Sequence, residues 1–297
     1  MNQTSENSSW KSSKNAEYIN KFGVEFNLPN PQEPLWRYQS FARFEQLLNE
    51  KTLYLSRIDR FWDFREGSTT DASVEHAASQ VQRLSIDWDK GTIDKHATTE
   101  AEGAWVASLS GAIGHLSTKN AYHACCWNRN TVESSLMWRS YGSPSSDDRH
   151  LFKVAIKTKA LSLINSLDIS QIEGQIYFGP VKYLDYKLDR SASQNINTNV
   201  FQKKHEYATE NEIRLAVFND SYLPSGYPVN VPKSPLGMTI PTTINELIEE
   251  VYVEAVPTLD KEPEHLQQEI EDRLKIVKSS LSQAGLGTVK ITLSEIL

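Results

Sequence analysis

The sequence predicts an α+β domain with a mixed, largely antiparallel β-sheet and helices packed around it. Two observations lead there. Alternating apolar strands interleave with helical segments, yet no steady βαβ rhythm with glycine-rich turns appears, as a doubly wound parallel sheet would require. The hydrophobic content of 39%, with seven tryptophans and 10% aromatics, suffices for a core and excludes a disordered chain.

Taken in order, residues 1–30 are rich in Ser, Asn, Gln and Lys and read as a flexible N-terminal lead-in. Residues 31–297 then form one α+β domain. Leu35 to Tyr38 is a first strand. Ser40 caps a helix with Phe41, Phe44, Leu47 and Leu48 on one face. Leu53 to Ser56 is a short strand, and about 67–118 is a mostly helical insertion with Val74, Ala77, Ala78, Val81 and Leu84 at helical spacing. Tyr122 to Trp127 is a strand leading into a helix with Val132, Leu136, Met137 and Tyr141. Phe152, Val154 and Ile156 alternate with Lys153, Ala155 and Lys157, which predicts a half-buried strand. Tyr177 to Tyr186 is another strand, interrupted at Gly179-Pro180, and 187–203 is a polar loop.

The most informative strand follows. Ile213, Leu215 and Val217 point one way, and Glu210, Glu212 and Arg214 the other. Residues 219–241 read as a long Pro/Gly loop, Glu250 to Val256 as a strand, Leu266 to Leu281 as a helix stopping near Gly285, and Thr288 to Thr292 as a last strand.

The formal charge of −7 gives no global basic field for nucleic acid or anionic lipid, though a local basic groove is compatible with it. The only cysteines, Cys125 and Cys126, are adjacent and read as reduced thiols of a cytoplasmic protein. No signal-peptide core and no membrane-length apolar run occurs. P-loop, Rossmann, H-E-x-x-H, zinc-ribbon and G-x-S-x-G patterns are absent, so no metal ligands are assigned.

Several segments in order resemble the bacterial domain-of-unknown-function family 2971: LWRYQSFARFEQLLNEKTLYLSRIDRFWDFREG, SSLMWRSYG, VKYLDY, ATENEIRLAVF and LIEEVYVEAVP. Arg65 stands where that family's turn carries proline. The order of strands is also similar to ADP-ribosyltransferase-like domains, whose sheet is split, although the middle strand here lacks their Ser-Thr-Ser. That resemblance implies an enzyme using NAD as substrate to modify a protein or nucleic acid, or hydrolysing it, in a bacterial toxin or phage-defence setting. Arg37 would hold the NAD pyrophosphate or ribose, and Tyr38, Tyr54 or Trp138 would stack on a ring. Glu212 would be the catalytic carboxylate, Glu210 would orient the acceptor, and 187–209 would be the loop that meets it.

Plainer roles compete. Glu210, Glu212 and Arg214 on one strand face equally suit a solvated or salt-bridged outer surface. Arg37 suits stacking or pairing with Asp63 or Glu66, and those two suit turn caps better than catalysis. Two further functions stay open. One is a metal-dependent nuclease drawing on Asp63, Glu66, Asp185, Glu210 and Glu212; the other is an interaction or sensor module using the aromatic segments and the 219–241 loop. The discriminating feature for the NAD reading is a pocket joining Arg37 to Glu212, and placement on opposite sides of the sheet counts against it.

Overall fold

The computed structural model describes residues 10, 13–15, 28–63, 65–76, 79, 119–146, 148–190, 196–223, 233–255 and 263–296. Most of the predicted helical insertion at 67–118 lies outside these residues.

The chain enters through β1 (Pro34–Ser40) and turns directly into α1 (Phe41–Glu50). Ser40 makes the turn, its hydroxyl accepting from the Arg43 amide, while Phe41, Phe44, Leu47 and Leu48 are buried as the spacing predicts. Lys51 adopts a left-handed conformation and returns the chain into β2 (Thr52–Arg57). Then come β3 (Tyr122–Asn128), α2 (Ser135–Ser140), β4 (Lys153–Lys159), α3 (Ala160–Ser166), β5 (Gln175–Pro180), β6 (Lys182–Leu184), β7 (Gln202–Lys204) and β8 (Glu212–Phe218). The chain finishes with β9 (Gly237–Pro241), α4 (Ile244–Leu247), β10 (Glu250–Val253), α5 (Pro263–Gln283) and β11 (Lys290–Leu293).

Nine of these strands form one mixed sheet, antiparallel except for the β10–β11 pair; β6 and β7 form a separate parallel pair. The α+β class and the mostly antiparallel sheet are therefore as expected.

The sheet branches at β3. One edge of β3 pairs along its whole length with β8, Tyr122 to Asn128 against Phe218 to Glu212. The other edge is shared. β1 touches it at Trp36 opposite Asn128, and β2 touches it at Ser56 opposite Ala124 and Arg57 opposite His123. Between these contacts Cys125, Cys126 and Trp127 have no ladder partner on that side, so the sheet opens between β1 and β2.

One face carries the main core, which includes Leu35, Trp127, Ile213, Leu215 and Val217 under α1 and α5. The opposite face carries two smaller clusters, one around Tyr122, Phe201 and Phe218 and one around Trp36, Tyr38 and Trp138.

Three local expectations need correction. β4 is buried on both faces, with Ala155 at 0% and Lys153 at 9% exposure, because β1 and β10 flank it and the Trp36 cluster covers its second side. The 177–186 stretch breaks where its Gly179-Pro180 interruption was expected, into β5 and β6. The predicted loop 219–241 contains β9, which edges the sheet beside β2. Glu210 belongs to a short 3-10 turn, His205–Glu210, and not to β8; Asn211 follows it in a left-handed conformation. In the lead-in, Trp10 is buried with its indole N–H donating to the Pro29 carbonyl, and Asn15 donates to the Ile164 and Leu167 carbonyls. The chain is anchored at these residues rather than loose.

Candidate active site

The opening between β1 and β2 is a cleft of about 420 Å³, within the range that takes a small organic ligand. Arg37, Tyr38, Tyr54, Glu210 and Glu212 all contribute to its walls, so five of the six predicted site residues converge. Cross-strand register puts Glu212 on the face of Asn128 and Trp36, and alternation puts Arg37 on the opposite face with Leu35. That placement on opposite faces counts against the NAD reading; what remains for it is that the split in the sheet lets one cleft reach both residues.

The predicted residues differ in how available they are. Arg37 reaches across the gap, donating to the Tyr54 carbonyl at 3.2 Å and lying over the Trp127 ring at 5.8 Å. It pairs with neither Asp63 nor Glu66. Tyr54 is 43% exposed, and its ring crosses Gly237, where a Cβ would come within 2.1 Å of the phenol oxygen. A side chain at this position would have to push the Tyr54 ring aside. Tyr38 is buried and committed elsewhere, with its hydroxyl accepting from the Ser134 amide at 2.9 Å and its ring edge-on to Trp138. Trp138 does not line the cleft. It is buried behind Tyr38 and donates to Glu133, so the stacking role predicted for it falls away.

At the inner end of the cleft the strand face expected to be solvated is instead a buried ionic cluster. Arg214, fully buried, grips Glu212 through Nε at 2.5 Å and Nη2 at 3.1 Å. The same Nη2 donates to Glu66 at 2.5 Å, and Nη1 donates to the Val200 carbonyl at 2.6 Å. Lys203 lies 2.6 Å from Glu210, 3.1 Å from Glu66 and 3.5 Å from Glu212. The backbone amide of Glu212 donates to the Tyr183 hydroxyl, and Tyr141 faces the Glu210 carboxylate. The Phe61 and Tyr207 rings cover Arg214 and Lys203.

Three carboxylates thus face two cations, which leaves one excess negative charge when all are ionised. Burial raises the Glu66 carboxyl above its ordinary range, Arg214 opposes that, and Glu212 adds to it. Burial also acts on Glu212, but the charge and hydrogen bonds of Arg214, together with Lys203, outweigh it and hold the Glu212 carboxyl below its ordinary range. The two carboxyls are therefore pushed in opposite directions, Glu66 toward keeping its proton and Glu212 toward losing it. Neighbouring carboxyls driven apart in this way suit paired acid and ionised-stabiliser roles.

The Lys203 ammonium occupies the point where a divalent cation bound by these carboxylates would sit. Among the described residues no group of three or more His, Cys, Asp or Glu side chains is arranged to hold a metal ion. Asp185, proposed with them, is occupied in a local turn, where it accepts from the Lys187 amide. Asp63 caps its turn as expected, accepting from the Arg65 amide at 2.9 Å, whereas Glu66 leaves the turn to join the cluster.

Sequence reasoning undervalued Glu66 and missed Lys203 and Tyr141. Glu66 sits in a turn 148 residues before Arg214, so nothing local in the sequence links the two. Lys203 had no local signal either, because it sits in a polar stretch that looks solvated.

No family model, curated protein or solved structure matches this chain. Among the described residues no helix is long and apolar enough to cross a membrane.

Proposed function

We propose that the cleft is the active site of an ADP-ribosyltransferase-like enzyme that takes NAD and cleaves its nicotinamide–ribose bond, passing the ribose to a protein or nucleic-acid acceptor or to water. The observation that carries this reading is the single cavity joining Arg37 and Tyr54 at one end to Glu212 at the other.

Glu212, ionised and fixed by Arg214, would stabilise the positive charge that develops on the ribose as the carbon–nitrogen bond breaks. Its orientation is set in advance by the bidentate guanidinium, so no reorganisation accompanies the reaction. Glu66 lies alongside, its carboxyl raised by burial, and would serve as the proton donor. Glu210, held by Lys203 at the end of the 3-10 turn, would accept the proton of the attacking hydroxyl or water. Arg37 has guanidinium donors left for a phosphate, and Tyr54 presents a half-exposed ring for stacking. A shared cleft and carboxyls shifted in opposite directions weigh against a purely non-catalytic module.

The test is incubation with NAD labelled on the adenylate portion, following nicotinamide release and label transfer. The parent is expected to turn NAD over. Glu212→Gln should lower the rate by about 10²–10³-fold with its circular dichroism unchanged. Neither turnover nor binding of NAD by the parent removes the reading.

A further inference from the structure

The outer part of the cleft is built differently from its carboxylate end. Arg37 and Gln39 lie two apart on one face of β1, and Arg43 sits one turn into α1, so the strand-to-helix elbow gathers two guanidinium groups and one amide. Gln39 is 5% exposed, yet its Nε2 has no hydrogen-bond partner among the described residues. That burial is enforced from α2's side: Gly142 turns at φ +70°, and a Cβ there would fall 2.5 Å from Gln39 Cα.

Arg60 and Trp62, on the loop after β2, also line the cleft. In a chain where acidic residues outnumber basic ones 38 to 31, no described carboxylate pairs with Arg37, Arg43 or Arg60. Trp62 is 100% exposed. The buried, unpartnered Gln39 amide carries a desolvation cost that a ligand acceptor would relieve, and three arginines and a bare indole line the same cavity.

We propose that this elbow is a phosphate subsite: Arg37, Gln39 and Arg43, faced by Arg60, bind the phosphate or pyrophosphate of a nucleotide whose base stacks on Trp62. The chemistry fits a charge-assisted clamp on phosphate oxygens next to a flat apolar platform. It deepens the preceding reading of the cleft but does not depend on NAD being turned over. The phosphate has two possible sources, a free nucleotide and the backbone of a single-stranded nucleic acid.

The experiment titrates the full chain with three probes, inorganic pyrophosphate, ADP and a labelled oligothymidylate, following tryptophan fluorescence and anisotropy. Arg43→Ala and Arg60→Ala, which lie away from the buried ionic cluster, should each weaken binding roughly tenfold, the loss of one charge-assisted hydrogen bond. Gln39→Glu, which replaces the buried donor by a carboxylate, should weaken it at least as much. Trp62→Ala should affect ADP and the oligonucleotide but leave pyrophosphate unchanged. Tighter ADP than oligonucleotide assigns the subsite to a free nucleotide; the reverse, with strong salt dependence, assigns it to a strand. Either outcome supports the subsite. Binding weaker than about 1 mM for all three probes, or affinities that the arginine variants leave unchanged, overturns it. NAD turnover with intact phosphate binding in these variants would overturn this inference and spare the function. Phosphate binding lost in the variants, with no turnover in the parent, would do the opposite.

Discussion

Two ionic clusters stand on the same sheet and are built on opposite terms. At the outer edge Glu250 on β10 meets Lys290 at 2.5 Å and Lys157 at 3.4 Å and accepts from the Thr292 hydroxyl at 2.7 Å. The Lys290 side chain is 71% exposed there, so water screens the pair. In the cleft the side chains of Arg214, Glu66, Glu212, Lys203 and Glu210 are all 10% exposed or less. Removing five charges from water is repaid only by their mutual contacts, and apolar residues of similar volume would serve stability as well or better. An edge cluster needs no reason beyond solubility. The buried one makes sense as a device for holding carboxylates in fixed orientations and fixed protonation states.

The largest expected effect tests that contrast directly. Arg214→Met leaves Glu212 and Glu66 buried with only Lys203 to balance them, and should cost about 3–5 kcal/mol of unfolding free energy in urea titration. A loss below about 1 kcal/mol would mean that the cluster behaves like the edge pair.

The next effect separates the two carboxyls by pH. Glu212 is held below its unfolded value, so its contribution is present above that value and disappears as pH falls through the lower folded one. Glu66 is raised, so its contribution is complete below the unfolded value and is lost as pH rises through the higher folded one. The stability deficit of Glu212→Gln should therefore grow from acid toward neutral pH, and that of Glu66→Gln should shrink over the same range. Urea titrations at a series of pH values check this. Parallel curves for the two variants would refute the opposite shifts of the two carboxyls.

The smallest effect belongs to the edge. Lys290→Ala should move the thermal midpoint by about a degree or less, and added salt should erase even that. A larger, salt-resistant shift in differential scanning calorimetry would mean that the two clusters are not so different.

Much of the scaffold was legible because it rests on local signals. Ser40 before Phe41, Phe44, Leu47 and Leu48 announces both the cap and the buried face of α1, and Ile213, Leu215 and Val217 announce the core face of β8. The α+β class follows from these. The site was legible in part, since Arg37, Tyr54 and Glu212 are on the strands the pattern picks out. What escaped is non-local. Glu66 and Lys203 are far apart in sequence and meet each other, Arg214 and Glu212 only in the folded chain. Glu210 reads as a strand residue because alternation cannot detect the left-handed Asn211 that ends the preceding turn. β9 hides in a Pro/Gly stretch because its partner, β2, lies far upstream. Trp138 has the right residue type in the wrong layer.

The branching at β3 has a further consequence. A sheet normally exposes its unpaired backbone at its rims, where another chain can add a strand and start aggregation. Here Cys125, Cys126 and Trp127 carry an unpaired edge in the middle of the sheet, fenced by β1 on one side and β2 on the other. The gap is too short for an intruding strand and wide enough for a small molecule. The fold thereby sets a ligand-sized opening inside the sheet, away from the rims where neighbouring copies could add a strand.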